Sequence, residues 1–147
     1  MAEILHKVTI AAPPARVFAT LTQQQGLEGW WTENVRAEPR VGAICRFRFD
    51  DNTGPDMEIL ALEAERLVHW RCVAHGDNPT HEWINTELFF DLEAQGPGTV
   101  LRFSHRRWLE ATDFIRYCSL KWATYLLGLK RLLEAGEGTP WPRDVRI

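Results

Sequence analysis

The sequence predicts an α+β domain in which one antiparallel sheet packs against a long C-terminal helix. Three observations lead to this prediction. Segments between residues 41 and 105 alternate apolar and polar residues, which is typical of strands with one buried face. Short turn sequences such as "DDNTGPD" and "QGPG" join these segments. The chain then changes to helical spacing, and a one-sided sheet and an amphipathic helix each cover the other's apolar face.

The N-terminal part of the chain predicts one strand followed by two short helices. "EILHKVTI" alternates, and one face of this strand carries Ile4, His6, Val8 and Ile10. "APPARVFATLT" begins with prolines, which suit a first helical turn because the missing N–H would have no partner there. "QQQGLEGWW" predicts one or two further helical turns, loosened by Gly26 and Gly29.

The middle of the chain predicts the strands of the sheet. "ICRFRF", "LVHWRCVA", "EWINTELFFDLE" and "TVLRFSH" each place apolar side chains on one face and polar side chains on the other. "MEILALEA" is apolar on both faces, so the alternation leaves its inward face open. Trp83 and Phe89 fall on the outer face of their predicted strand. The predicted inward-facing residues are Phe47, Phe49, Trp70, Leu88, Phe90, Leu101 and Phe103.

The last predicted element is a helix from about Thr112 to Ala135. Its apolar stripe recurs at steps of four and three and consists of Cys118, Trp122, Tyr125, Leu129 and Leu132. Asp113 suits the positive end of the helix dipole, and Gly136 is the predicted C-terminal cap.

Composition argues against several classes of protein. The 147 residues include 17 basic and 20 acidic ones, and a net charge of −3 gives no support to a general nucleic-acid binder. No apolar run approaches the roughly 18 residues of a membrane span, and the first residues do not form a secretion signal. Cys45, Cys72 and Cys118 have neither metal-ligand nor disulfide spacing. We therefore expect one cytoplasmic domain over residues 1–147 with reduced thiols.

The order of these segments resembles the START-like (SRPBCC) superfamily. The resemblance is carried by "APPARVFATLT…GLEGWWT", "RLVHWRC", "GTVLRFSH" and "LKWATYLLGLKRLLEAGEGTPWP". Within the superfamily, the chain is most similar to the branch named after the activator of the heat-shock-protein ATPase. The resemblance implies the helix-grip fold, a curved antiparallel sheet of six or seven strands wrapped around the C-terminal helix. It also implies two short helices after the first strand and a mostly apolar cavity between sheet and helix.

Members of the superfamily bind lipids, sterols, hormones or polyketides, so the resemblance implies a small-molecule site. We expect an apolar or amphipathic ligand, lipid-like or aromatic, held without a cofactor; a solid aromatic core is the alternative. One of Trp30 and Trp31 is expected under the long helix and the other at the cavity mouth, unless both fill the core. The predicted ligand-binding residues are Trp31, Phe47, Phe49, Trp70, Leu88, Phe90, Leu101, Phe103, His105, Tyr117, Cys118 and Trp122.

Two other functions stay open at this point. A cyclase or hydrolase would use His105 or Tyr117 as an acid–base group in the same cavity, although the sequence contains no catalytic motif. A co-chaperone or a homodimer would use Trp83 and Phe89 as its contact surface, unless other parts of the chain cover them. His75 and His81 flank the loop "GDNPT", which suits solvated histidines better than a metal site.

Overall fold

The computed structural model describes residues 1–147 and contains seven strands and three helices. The elements are β1 (Ala2–Ile10), α1 (Pro14–Thr22), α2 (Gln24–Trp30), β2 (Asn34–Arg36), β3 (Ile44–Arg48), β4 (Pro55–Glu63), β5 (Leu67–His75), β6 (Glu87–Gln95), β7 (Gly98–Trp108) and α3 (Asp113–Ala135). The seven strands form a single antiparallel sheet in the order β1-β7-β6-β5-β4-β3-β2. The predicted α+β helix-grip fold is confirmed, with seven strands. None of the three helices combines the length and the apolar character that a membrane crossing needs.

The first strand lies beside the last one and is also attached to the long helix. β1 pairs with β7 along its length, from Ala2 opposite Trp108 to Ile10 opposite Thr99. At the end of β1, the Lys130 ammonium donates a hydrogen bond to the Thr9 carbonyl. β1 is thus the edge strand of the sheet and is also hydrogen-bonded to α3.

α3 begins and ends at the residues that its sequence predicts. The Thr112 hydroxyl accepts a hydrogen bond from the Ile115 N–H and caps the N-terminus. Gly136 ends the helix with φ of +86°, a left-handed conformation in which glycine carries no Cβ penalty. The predicted stripe is buried up to Leu129, whereas Leu132 lies at its edge and packs beside Gly29 of α2.

The alternation in the strands matches the observed burial. Six of the seven predicted inward residues are at most 1% exposed, and Phe49, just after β3, is partly buried. In β4, Met57 and Ile59 face the core. A register shift between Ile59 and Ala61 interrupts the alternation of inward and outward residues. For this reason the sequence pattern did not decide which face of β4 points inward.

Trp83 departs from the prediction. β6 begins only at Glu87, and residues 82–85 form a turn that carries the Trp83 side chain inward, where it is 8% exposed. Phe89 does lie on the outer face of the sheet. Its ring stacks on His69 at a centroid distance of 3.9 Å, and the Arg106 guanidinium lies 4.4 Å above it. Trp83 and Phe89 therefore do not share one surface, and Phe89 is partly covered by its neighbours.

Candidate functional site

A cavity of about 230 Å³ lies beside the N-terminal half of α3. The helix forms one side of it, the segment after β3 forms another, and the C-terminal tail after α3 closes a third. Its apolar wall is aromatic and is dominated by Trp31, Trp83 and Trp122, with Phe49, Phe114 and Tyr125 around them. Its polar residues include Asp50, His75, Lys121, Asp144 and Arg146.

The two adjacent tryptophans have different surroundings. α2 ends at Trp30, which is completely buried and packs edge-on against Phe90 at a centroid distance of 6.2 Å. Trp31 lines the cavity and lies 5.0 Å from Trp122 and 4.3 Å from Phe47, again between ring centroids. Trp31 therefore connects the cavity wall to the aromatic core behind it.

A chain of hydrogen bonds holds the tryptophan wall in place. The Trp122 indole N–H donates to His105 Nδ1 at 3.2 Å, so the ring proton of His105 is on Nε2. Nε2 lies 2.7 Å from the Thr86 hydroxyl, which donates in turn to the Trp83 carbonyl. Burial lowers the pKa of His105 to about 3. His105 is thus a neutral histidine whose two nitrogens are both engaged, and it positions the wall without lining the cavity.

Trp83 is also fixed through its own ring. Its indole N–H donates to Cys118 Sγ at 3.4 Å, and its ring stacks on Trp122 at 5.9 Å with an interplanar angle of 16°. Burial raises the pKa of the Cys118 thiol to about 12. Cys118 therefore serves as a protonated, apolar lining group that accepts a hydrogen bond.

A buried ion pair forms the polar side of the cavity. The Asp144 carboxylate accepts hydrogen bonds from the Lys121 ammonium and from the Tyr125 hydroxyl, the latter at 3.0 Å. Burial opposes ionisation of Asp144, but the bonds from Lys121 and Tyr125 outweigh it and lower the pKa of Asp144. Burial, together with the Asp144 charge, raises the pKa of Tyr125. Tyr125 therefore stays a hydrogen-bond donor.

The C-terminal tail is attached to the segment that carries Trp31. The Trp141 N–H donates to the Trp31 carbonyl at 2.9 Å, and the Trp141 carbonyl accepts from the Glu33 N–H at 3.0 Å. The Trp141 indole donates to the Asp50 carboxylate at 2.8 Å. Gly138 makes this close approach possible, because a Cβ there would lie 2.3 Å from the Gly29 carbonyl oxygen.

The two loop histidines are half-buried, so the prediction of solvated histidines is wrong. The rings of His75 and His81 stack at 3.5 Å with an interplanar angle of 4°, and His81 Nδ1 accepts from the Trp83 N–H. Burial lowers the pKa of His75 to about 4, with a further contribution from His81, and burial also lowers the pKa of His81. The structure contains no group of three or more side chains that could hold a metal ion.

Some of the residues predicted to bind a ligand line the cavity, and the others lie in the core. The predicted ligand-binding residues that line it are Trp31, Phe49, Tyr117, Cys118 and Trp122. Those that lie in the solid core instead are Phe47, Trp70, Leu88, Phe90, Leu101, Phe103 and His105. The tryptophans fill the middle of the space between sheet and helix, and the described cavity lies at one end of it.

Sequence reasoning missed several residues of the wall. Tyr125 belongs to the predicted inward stripe of α3, which was the available signal for it. Trp83 was missed because the sequence placed it in a strand, whereas β6 begins only at Glu87. Trp141, Asp144 and Arg146 lie in a C-terminal tail that shows no helical or strand periodicity.

Comparisons with known proteins agree with this architecture. The family model described as Activator of Hsp90 ATPase homolog 1-like protein matches residues 11–134. The structure of the Aha1 dimer from Colwellia psychrerythraea is 38% identical, covers 94% of this chain and 100% of that chain, and has a TM-score of 0.84.

Two further solved structures share the fold at lower identity. A Mesorhizobium loti protein is 22% identical, over 90% of this chain and 97% of that chain, with a TM-score of 0.77. A Staphylococcus saprophyticus protein is 18% identical, over 93% and 95%, with a TM-score of 0.74. No curated protein sequence matches the chain. The family match and the Colwellia structure together show that this chain belongs to the Activator of Hsp90 ATPase homolog 1-like family.

Proposed function

We propose that the protein binds a small aromatic or amphipathic molecule in the cavity beside α3. The observation that carries this proposal is the aromatic wall around about 230 Å³ of open space. An apolar cavity of about 150 Å³ holds benzene, whereas pockets for drug-sized ligands begin at roughly 300 Å³. The volume therefore suits one or two fused rings better than a lipid chain.

The lining supplies separate places for the two ends of such a molecule. The rings of Trp31, Trp83 and Trp122 would cover its apolar part, and burying that area provides the affinity. The ion pairs of Lys121 with Asp144 and of Arg146 with Asp50 would face a polar substituent at the mouth. Hydrogen bonds already hold the side chains of Trp83 and Trp122 in place, so binding a ligand would cost little side-chain conformational entropy there.

The same geometry favours binding over catalysis. His105, the acid–base candidate, is enclosed in the core with both nitrogens bonded. Tyr125 and Cys118 line the cavity, but burial raises the pKa of each and keeps it protonated. The second acid–base residue predicted from the sequence, Tyr117, is exposed at the edge of the cavity and has no hydrogen-bonded base that would activate it.

Calorimetric titration with indole, 2-naphthol and decanoate tests the proposal. We expect the two aromatic probes to bind and decanoate not to bind. Phe114→Ala should weaken indole binding about tenfold, because it removes one ring from the wall. Phe89→Ala is the matched control, since it makes the same change on the outer face of the sheet. Absence of binding by both aromatic probes, or equal weakening by the two variants, would refute the site.

We also propose that the chain forms a homodimer. The Colwellia psychrerythraea relative was solved as a dimer, and it matches this chain at 38% identity over nearly its full length. The measured mass in solution should then be twice the 17.0 kDa of one chain. Trp83, one half of the contact surface predicted for both a homodimer and a co-chaperone, lies inside the molecule, so either association needs another surface.

We propose a cytoplasmic location for this homodimer. Cys45, Cys72 and Cys118 are all free and buried, as expected for a protein of a reducing compartment.

A further inference from the structure

The face of α3 that points away from the sheet carries a second regular pattern. Tyr117, Leu120 and Leu127 are 47%, 56% and 60% exposed, and Thr124 lies between the two leucines. These four residues and one charged residue at each end are spaced alternately four and three residues apart along the helix. This outer seam consists of Asp113, Tyr117, Leu120, Thr124, Leu127 and Arg131. Such spacing is that of a helix that packs lengthwise against another helix.

We propose that the outer seam packs antiparallel against the same seam of a second copy of the chain. This inference rests on the proposed homodimer and assigns its contact surface. A two-fold axis beside the middle of the seam places Leu120 opposite the partner's Thr124 and Tyr117 opposite the partner's Leu127. Each of these contacts occurs twice, as a self-complementary two-fold interface requires. The apolar layers then occupy the centre of the interface.

The charged residues at the ends of the seam fit this alignment. In the same antiparallel register, Asp113 lies opposite the partner's Arg131, so that an ion pair closes each end. Arg131 is exposed and forms no ion pair within the chain, while Asp113 has one loose contact at 3.8 Å with Arg116. A parallel alignment would instead place Asp113 against Asp113 and Arg131 against Arg131. Electrostatics therefore favours the antiparallel arrangement.

The seam also has the extent of an interface. From Asp113 to Arg131 the helix rises about 27 Å. A single helix pair buries less than the roughly 800 Å² per partner of a standard interface. We therefore expect a dimer that dissociates on dilution.

Sedimentation velocity over a dilution series tests the contact surface. The wild-type chain should sediment as a dimer at high concentration, and Leu120→Glu combined with Leu127→Glu should be monomeric. Both positions are exposed, so circular dichroism should show an unchanged fold. Leu5→Glu is the matched control, because Leu5 is 63% exposed on β1 and lies outside the seam. This control should remain dimeric.

A charge exchange tests the antiparallel register. Asp113→Arg and Arg131→Asp should each weaken dimerisation by about tenfold or more, because each brings like charges together at both ends. The double variant should restore the wild-type dissociation constant. In a parallel pairing, like charges would already meet at both ends, so neither single variant would weaken dimerisation, and that result would overturn the antiparallel register.

The possible failures are distinguishable from one another. A wild-type monomer at every concentration would overturn both the homodimer and its surface. A dimer that survives the two glutamates would overturn the seam but leave the homodimer. A double charge variant without recovery would overturn the antiparallel register.

Discussion

Lowering the pH should destabilise the protein through His105, by an amount that follows from its surroundings. Its ring is completely buried, and its Nδ1 accepts the indole N–H of Trp122. A proton on Nδ1 would therefore break this bond and place a charge in the core. Burial lowers the pKa of His105 from the ordinary 6.5 to about 3.

The direction of the effect follows from proton linkage. Well above pH 6.5 the histidine is neutral in both the folded and the unfolded state, so its titration no longer changes stability. Between pH 6.5 and about 3, the unfolded chain binds a proton that the folded protein does not, and acid therefore favours unfolding. Each pH unit in this window lowers the free energy of unfolding by about 1.4 kcal/mol. At pH 4.5, two units below 6.5, His105 accounts for a loss of about 3 kcal/mol.

Urea denaturation at pH 7 and pH 4.5 measures this loss in wild type and in His105→Gln. Glutamine can still donate to the Thr86 hydroxyl but does not titrate, so the variant should lose about 3 kcal/mol less between the two pH values. Thr86→Val is the control, because it removes the hydrogen bond and keeps the histidine. It should be less stable at both pH values with an unchanged difference between them. An equal acid-induced loss in wild type and His105→Gln would refute the reasoning.

Three further substitutions test other contacts by chemical denaturation. Asp144→Ala leaves the Lys121 ammonium buried without its carboxylate, so the free energy of unfolding should fall by about 3 kcal/mol; a loss below about 1 kcal/mol would indicate an ordinary surface pair. Thr112→Ala removes the N-cap of α3 and should lose about 1 kcal/mol, whereas Thr112→Ser should be nearly neutral; equal losses would argue against the cap. Trp31→Ala removes the ring that joins the cavity wall to the core and should lose about 3 to 5 kcal/mol. A loss smaller than that of Phe114→Ala would contradict the central place of Trp31.

The sequence predicts the strands and the long helix well because burial and periodicity are coupled there. A strand with one covered face has to alternate, and Phe47, Trp70 and Phe103 follow that alternation. The end of α3 is predictable for a local reason, since Gly136 adopts a left-handed conformation that suits glycine.

The position of the cavity does not follow from these patterns. Which part of the space between sheet and helix stays open depends on how the rings of Trp31, Trp83 and Trp122 pack. Their placement is set by contacts between residues far apart in the chain, such as the bond from Trp83 to Cys118. The spacing of residues along a strand or helix carries no trace of such contacts.

The tail and His105 show the same limit in different ways. Trp141 is held by the backbone of Trp31 and by Asp50, neither of which is near it in sequence. Alternation correctly placed His105 on the inward face. Only the three-dimensional arrangement showed that its two nitrogens are already bonded and that it does not face the cavity.

The position of β1 has a consequence for how the chain folds. This strand is made first, yet its sheet partner is the last strand, with Ile10 opposite Thr99 and Ala2 opposite Trp108. The chain between β1 and β7 forms a long loop, and closing it costs conformational entropy before the hydrogen bonds between the two strands can form. Folding should therefore take milliseconds to seconds, as in other sheets with distant pairings. During synthesis, β1 must wait without a sheet partner until β7 has left the ribosome, and the fold is completed late.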